Sequence, residues 1–201
     1  MSDRQDATWR ALAARLGLEV TGAQERGLDA YWTLLLTWNA RINLTGARSR
    51  DELVGEHLPD AVAMASLIGR GARVVDVGSG GGLPALPLAV LRPDLGLRLV
   101  EPRAKRVAFL RTAVRTLGLS AEVLAGRMEE VSVGEADVAS SRATFAPGEW
   151  LERARGLAPR AVVLAAGGTE VEVAGGWTLE AEVAYETAAR HGRWIGLYRS
   201  T

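Results

Sequence analysis

The chain has 201 residues, 48% of them hydrophobic, with 24 cationic side chains against 24 anionic ones and no cysteine. That length and apolar content suit one globular domain with a substantial core, while zero net charge excludes a global positive field that would attract nucleic acid. The missing thiol excludes disulfides, cysteine-ligated metal and the thiolate chemistry that C5 methylation of pyrimidines generally uses. No apolar run reaches the roughly 18 residues of a membrane span, and the polar start Met1-Ser-Asp-Arg-Gln-Asp6 does not read as a secretory leader. A cytoplasmic location with no membrane partner is the expectation. All but one of the cationic residues are arginine, which reflects coding composition better than RNA binding.

Residues 1–70 are helical in pattern. Trp9, Leu12 and Leu16 recur at helical spacing and Gly17 is a stop. A second helix is expected over 24–41, with Leu28, Tyr31, Trp32, Leu35 and Trp38 on one broad face. The segment Asn39-Ala-Arg-Ile-Asn-Leu-Thr45 ends it, because Asn and Thr side chains bond local backbone. Ser49-Arg-Asp-Glu52 reads as a capping box for a helix reaching His57, and Pro59 interrupts or restarts it. These helices are expected as an extension, 1–70, packed on a domain spanning 71–201.

From residue 72 the pattern alternates strand and helix, as in a mostly parallel sheet covered by helices on both faces. Candidate strands are 73–77, 97–101, 121–124, 137–140 and 161–165. A helix is expected over 104–117, a shorter one over 151–157, and 179–185 with 194–198 form a terminal antiparallel pair. The first strand ends on Asp76 and runs into Val-Gly-Ser-Gly-Gly-Gly-Leu-Pro84, where Pro84 opens a helix. A dinucleotide fingerprint fails, since its third glycine would fall on Leu83, and a P-loop fails for want of lysine. Asp76-x-Gly78-x-Gly80-x-Gly82 resembles motif I of the S-adenosylmethionine (SAM) dependent methyltransferases. An acidic strand end suits a ligand carrying an ammonium and a sulfonium.

Glu101 ends the second strand, 21 residues after Gly80, where an acidic residue accepts ribose hydroxyl protons in such folds. After the third strand Met128 is a candidate to cover the purine, and Glu129 or backbone groups to meet its amino edge, though read alone the segment is a short acidic loop. Ser140-Ser-Arg142-Ala follows the fourth strand, and the absence of an Asn/Asp-Pro-Pro-aromatic motif there argues against adenine-N6 chemistry. Arg142 is a candidate for the cofactor carboxylate or an RNA group. Arg103, Lys105, Arg106, Arg111 and Arg115 form a basic cluster suited to phosphates or simply to a solvated face. His57 and His191 read as satisfied or solvated histidines, so no general base stands out. Guanine N7 needs none. It carries a lone pair and no proton, and its methylation depends on alignment.

Taken together, the motifs resemble the RsmG (GidB) family, bacterial 16S ribosomal RNA guanine-N7 methyltransferases. The resemblance runs from Trp38-Asn-Ala-Arg-Ile-Asn-Leu-Thr45 and His57 through Asp76-Val-Gly-Ser-Gly-Gly-Gly-Leu-Pro-Ala-Leu-Pro-Leu-Ala89. It continues in Leu99-Val-Glu-Pro-Arg-Ala-Lys-Arg-Val-Ala-Phe-Leu110, Gly126-Arg-Met-Glu-Glu130 and Ser141-Arg-Ala143. It implies a class I SAM-dependent methyltransferase of Rossmann-like α/β fold, a monomer, which converts SAM to S-adenosylhomocysteine. Cofactor contacts are implied at Asp76, Gly78, Ser79, Gly80, Gly82, Leu83, Glu101, Met128, Glu129 and Arg142, with no metal. Lys105, Arg127 and Arg142 are implied around the active-site mouth, positioning base or substrate. The implied partner is 16S rRNA within the small subunit or its assembly intermediate. One departure is Leu164-Ala-Ala-Gly-Gly168, with Ala166 where the family usually has lysine. A small-molecule methyltransferase and a non-catalytic ribosome-binding relative are the alternatives.

Overall fold

The computed structural model describes residues 3–201 apart from Glu170, Glu172 and Ala174, so Met1 and Ser2 of the polar start lie outside the described residues. Four helices come first: α1 (Asp3–Arg15), α2 (Gly22–Ile42), α3 (Arg50–Glu56) and α4 (Leu58–Leu67). The start of α2 lies earlier than its apolar stripe suggests, because Thr21 and Gln24 form a reciprocal capping box. At α3 the expected box closes only by half. Ser49 Oγ accepts the Glu52 N–H, but the Glu52 carboxylate accepts from Arg48 N–H instead, one residue ahead of the cap. Pro59 sits in the first turn of α4, where its missing N–H costs no helical bond.

The turn after α2 is built by one side chain. Asn39 Oδ1 accepts from the backbone N–H groups of Leu44 and Thr45, and its Nδ2 donates to the carbonyls of Thr45 and Ala47. Asn43 adopts the left-handed conformation (φ 50°) that asparagine tolerates at a helix end. Leu44 is thereby carried back against the glycine loop.

The rest alternates as β1 (Arg73–Val77), α5 (Ala85–Leu91), β2 (Gly96–Glu101), α6 (Ala104–Leu117), β3 (Ala121–Ala125), β4 (Val138–Ser141), α7 (Pro147–Ala154), β5 (Arg160–Ala166), β6 (Trp177–Glu186) and β7 (Gly192–Ser200). The seven-stranded sheet has the order β3-β2-β1-β4-β5-β7-β6. Strands β1 to β5 are parallel, and β7 runs antiparallel to both β5 and β6. Several expected boundaries shift, and β6 and β7 each run beyond the predicted pair at both ends. The helix placed at 151–157 is α7, drawn earlier by Pro147 and by burial of Trp150, whose Nε1 donates to the Val162 carbonyl. Strand β4 starts after Asp137, whose carboxylate is taken by the Arg73 backbone N–H and guanidinium.

The two faces of the sheet are covered unequally. On one, Val74, Leu97, Leu99, Val138 and Val162 pack in a single core with Tyr31, Trp32, Leu53, Met64, Leu86 and Phe109 from the helices. On the other, Val75, Val77, Val100 and Ala139 meet Trp150, Leu151 and Ala154 of α7, with Val133 and Ala136 from the segment before β4. Among the described residues, no helix is long and apolar enough to cross a membrane.

Asn39→Ala strips partners from the half-buried carbonyls and N–H groups of 44–47. A stability loss of about 2 kcal/mol is expected, read as a lowered urea midpoint at unchanged m-value.

Candidate functional site

A cleft of about 440 Å³ opens where the parallel strands β1, β4 and β5 end. Its position between β1 and β4 is the point at which strand order reverses, where open α/β sheets bind ligands. The glycine loop forms one wall through Gly78, Ser79, Gly80 and Leu83, joined by Leu44 and Thr45. Gly78 and Gly82 need to be glycine. Both have positive φ (74° and 78°), and a Cβ would meet Thr144 Oγ1 and Leu86 Cδ1, each at 2.4 Å. The loop is also tied from behind, since the buried Tyr31 hydroxyl donates to the Gly81 carbonyl at 2.5 Å.

Two buried acids lie behind the cleft wall. Asp76 Oδ1 accepts from Ser140 Oγ at 2.8 Å, and Ser79 Oγ donates to the Asp76 carbonyl. Burial pushes the Asp76 carboxyl up to about 6, against the pull of the Ser140 and Ser79 hydroxyls. Glu101 lies behind the loop, with Oε2 accepting the Gly80 N–H and Oε1 the Arg103 N–H, each at 2.9 Å. Arg106 approaches that carboxylate to 4.0 Å.

Opposite the glycine loop stands a buried polar group that spans the chain. Arg142 Nε lies 3.1 Å from Asp60 Oδ2, an ion pair outside hydrogen-bond geometry. Asp60 Oδ1 accepts from the Tyr185 hydroxyl at 2.7 Å. Arg142 also donates to His57 Nδ1 at 2.8 Å, and since arginine has only donors, the ring is neutral with its proton on Nε2. Burial, then the charges of Arg142 and Arg193, hold the imidazole down to about 4. Asp60 and Tyr185 are site residues that sequence reasoning missed.

Of the residues singled out from sequence, Gly78, Ser79, Gly80, Leu83 and Arg142 line the cleft together. Asp76, Gly82 and Glu101 form its buried backing. Lys105 and Arg127 are exposed and stand outside the cleft wall. Met128 is half-buried and packs against the core beneath α7, which Phe145 joins from the cleft wall, while Glu129 is exposed and paired with Arg153 at 3.0 Å. Ala166 lines the cleft as the cross-strand partner of Arg193.

Residues 24–172 match the family model for rRNA small subunit methyltransferase G. The chain belongs to this family. Ribosomal RNA small subunit methyltransferase G of Neisseria meningitidis serogroup C is 42% identical over 135 residues, 67% of this chain and 65% of that protein. The chain therefore matches just under two thirds of that relative's length. Solved structures with the same fold include the B. subtilis M1A22 tRNA methyltransferase TrmK, with a TM-score of 0.54 and 20% identity over 73% of this chain and 66% of that one. MtNAS in complex with MTA and tNA gives 0.59 and 16% over 89% and 74%. The architecture is that of class I SAM-dependent methyltransferases. The family segment carries the glycine loop, Asp60, Glu101 and Arg142, whereas Tyr185 and Arg193 fall beyond it.

The folded state holds His57 neutral, so on acidification the unfolded chain binds that proton first. Its contribution to stability is present above about 6.5 and is lost as pH falls toward about 4. His57→Gln keeps an acceptor for Arg142. Relative to the wild type it should gain about 2–3 kcal/mol between pH 7 and pH 4, measured by denaturation at each pH.

Proposed function

We propose that this chain transfers a methyl group from SAM to N7 of a guanine in 16S rRNA, presented by the small ribosomal subunit or its assembly intermediate. The observation that carries the reading is the cleft itself: a glycine cradle at the sheet's switch point, in a chain of this family, backed by two buried acids. The residues present fit SAM. A Cβ would fill the loop at Gly78 and Gly82, so backbone alone faces the ligand there. Asp76 and Glu101 supply negative charge near a cationic cofactor. A protein of the same fold is known with MTA bound.

In this reading Gly78 to Leu83 hold the cofactor's amino acid end and ribose, with Glu101 accepting from the ribose hydroxyls. Each of its carboxylate oxygens has a lone pair beyond the one used by Gly80 or Arg103. Arg142, fixed by Asp60 and His57, keeps N–H donors for the cofactor carboxylate. Met128 and Glu129 serve the adenine end, and Lys105 and Arg127 serve RNA at the rim. When bound, SAM supplies a methyl group on a sulfonium, ready for attack in line.

The protein's own contribution is alignment. Asp60 is the one carboxylate among the described residues lining the cleft, and it faces Arg142 and Tyr185. His57 offers no basic nitrogen to the substrate, because Nδ1 is already occupied. A cleft without a free base suits a nucleophile with no proton to lose, as guanine N7 is, and fits amino or hydroxyl acceptors less well.

Radiolabelled SAM incubated with small subunits from cells lacking this gene should place label in 7-methylguanosine after nucleoside digestion. Label in another nucleoside, or none with SAM bound, contradicts the reading. Gly80→Asp puts a carboxylate into the cradle at φ 57°, beside Arg106. SAM affinity by equilibrium dialysis should fall by about 100-fold.

A further inference from the structure

We infer that Arg193 is a substrate-binding residue, whose guanidinium holds a backbone phosphate of the RNA strand beside the base that enters the cleft. This rests on the RNA-methylation reading above and adds to it a residue beyond the family segment.

Strand β7 brings Arg193 opposite Ala166 at the end of β5, and directly opposed residues project to the same face of a sheet. The alanine methyl leaves room there, and both residues line the cleft. Arg193 is half-buried, yet among the described residues its guanidinium has no hydrogen-bond or ion-pair partner. The other cations lining the cleft are matched: Arg142 pairs with Asp60, and Arg106 lies 4.0 Å from Glu101. A partly desolvated cation without a counter-charge is costly, so the position calls for an anion that the described residues do not supply.

The surroundings indicate which anion. Arg193 also lines a second groove that runs on from the cleft past Gly167 and Gly192 to Arg15 on α1. The floor of that groove is low, because Gly167 N–H donates to the Gly192 carbonyl at 2.8 Å with no side chain between. Arg15 uses one N–H on the Ala184 carbonyl and, among the described residues, pairs with no carboxylate. Among the described residues the groove carries one acidic side chain, the exposed Glu186. On the other side of the cleft, Arg106 is shared with a groove holding Arg48 and Asn43. A nucleotide whose base is turned into a pocket leaves its two flanking phosphates on opposite sides of the mouth. Cations stand on both sides here, and Arg193 is the one on the β7 side.

Arg193→Ala, Arg193→Lys and the wild type should be compared for binding to small ribosomal subunits at several salt concentrations, with SAM affinity measured alongside. Arg193→Ala is expected to weaken subunit binding about tenfold and to reduce the slope of log affinity against log salt by about one. KM for the subunit rises with kcat nearly unchanged, SAM affinity stays at the wild-type value, and Arg193→Lys restores the slope. Unaltered subunit affinity and slope in Arg193→Ala overturn the inference, as does a loss confined to SAM, which would make the anion the cofactor's carboxylate. A wild type that binds subunits but yields no 7-methylguanosine contradicts the methyl-transfer reading instead, and Arg193 is then judged on binding alone.

Discussion

The Glu101 carboxylate, buried behind the glycine loop, is the contact on which the cleft depends. Its bond to the Gly80 N–H fixes the middle of a loop that has almost no side chains of its own to fix it. Its second oxygen, on the Arg103 N–H, joins the same loop to the start of α6. Gly78 and Ser79 add backbone bonds to the Val100 carbonyl at the end of the neighbouring strand. A flexible sequence thus becomes a rigid wall, because its N–H groups are consumed by strand ends that are themselves locked in a parallel register. Tyr31 and Leu44 press on the loop from the helical side, so the N-terminal helices take part in holding the cradle.

The second organising feature is the Arg142, Asp60, Tyr185 and His57 group. It draws together α4, the turn after β4, the terminal hairpin and the α3–α4 junction around one buried carboxylate. Removing a single partner would leave a charge or hydroxyl unmatched in a water-poor setting, which costs more than the contact itself contributes. The arrangement also fixes protonation. His57 stays neutral, and burial with the adjacent Asp60 charge drives the Tyr185 hydroxyl's pKa well above the ordinary tyrosine range, so both keep one state across physiological pH. The cleft therefore presents fixed dipoles and guanidinium groups rather than a titrating base, as expected of a site that works by positioning.

How much of this was legible in the sequence follows from the range of the interactions. The cradle is local: strand, glycines and helix occupy 73–91, and the strand and helix of 73–77 and 104–117 have the bounds read from the apolar pattern. The turn signal of Asn39 to Thr45 was visible, though the four bonds Asn39 makes were not. Asp60 and Tyr185 are 125 positions apart and neither stands in a motif, so nothing local marks the pair. Arg193 gave no signal either, since only the antiparallel pairing of β7 with β5 brings it to Ala166. Helix α7 was misplaced by several residues because apolar periodicity alone carries no marker for the Pro147 start. Local chemistry was readable, and long-range polar pairing was not.

A crystal structure of the protein with S-adenosylhomocysteine tests the central claim most directly. The ligand is expected along Gly78, Ser79 and Gly80, its ribose hydroxyls on Glu101 and its carboxylate on Arg142, with the Arg142–Asp60 pair intact. A ligand seated elsewhere, or one that leaves Glu101 and Arg142 untouched, would contradict it.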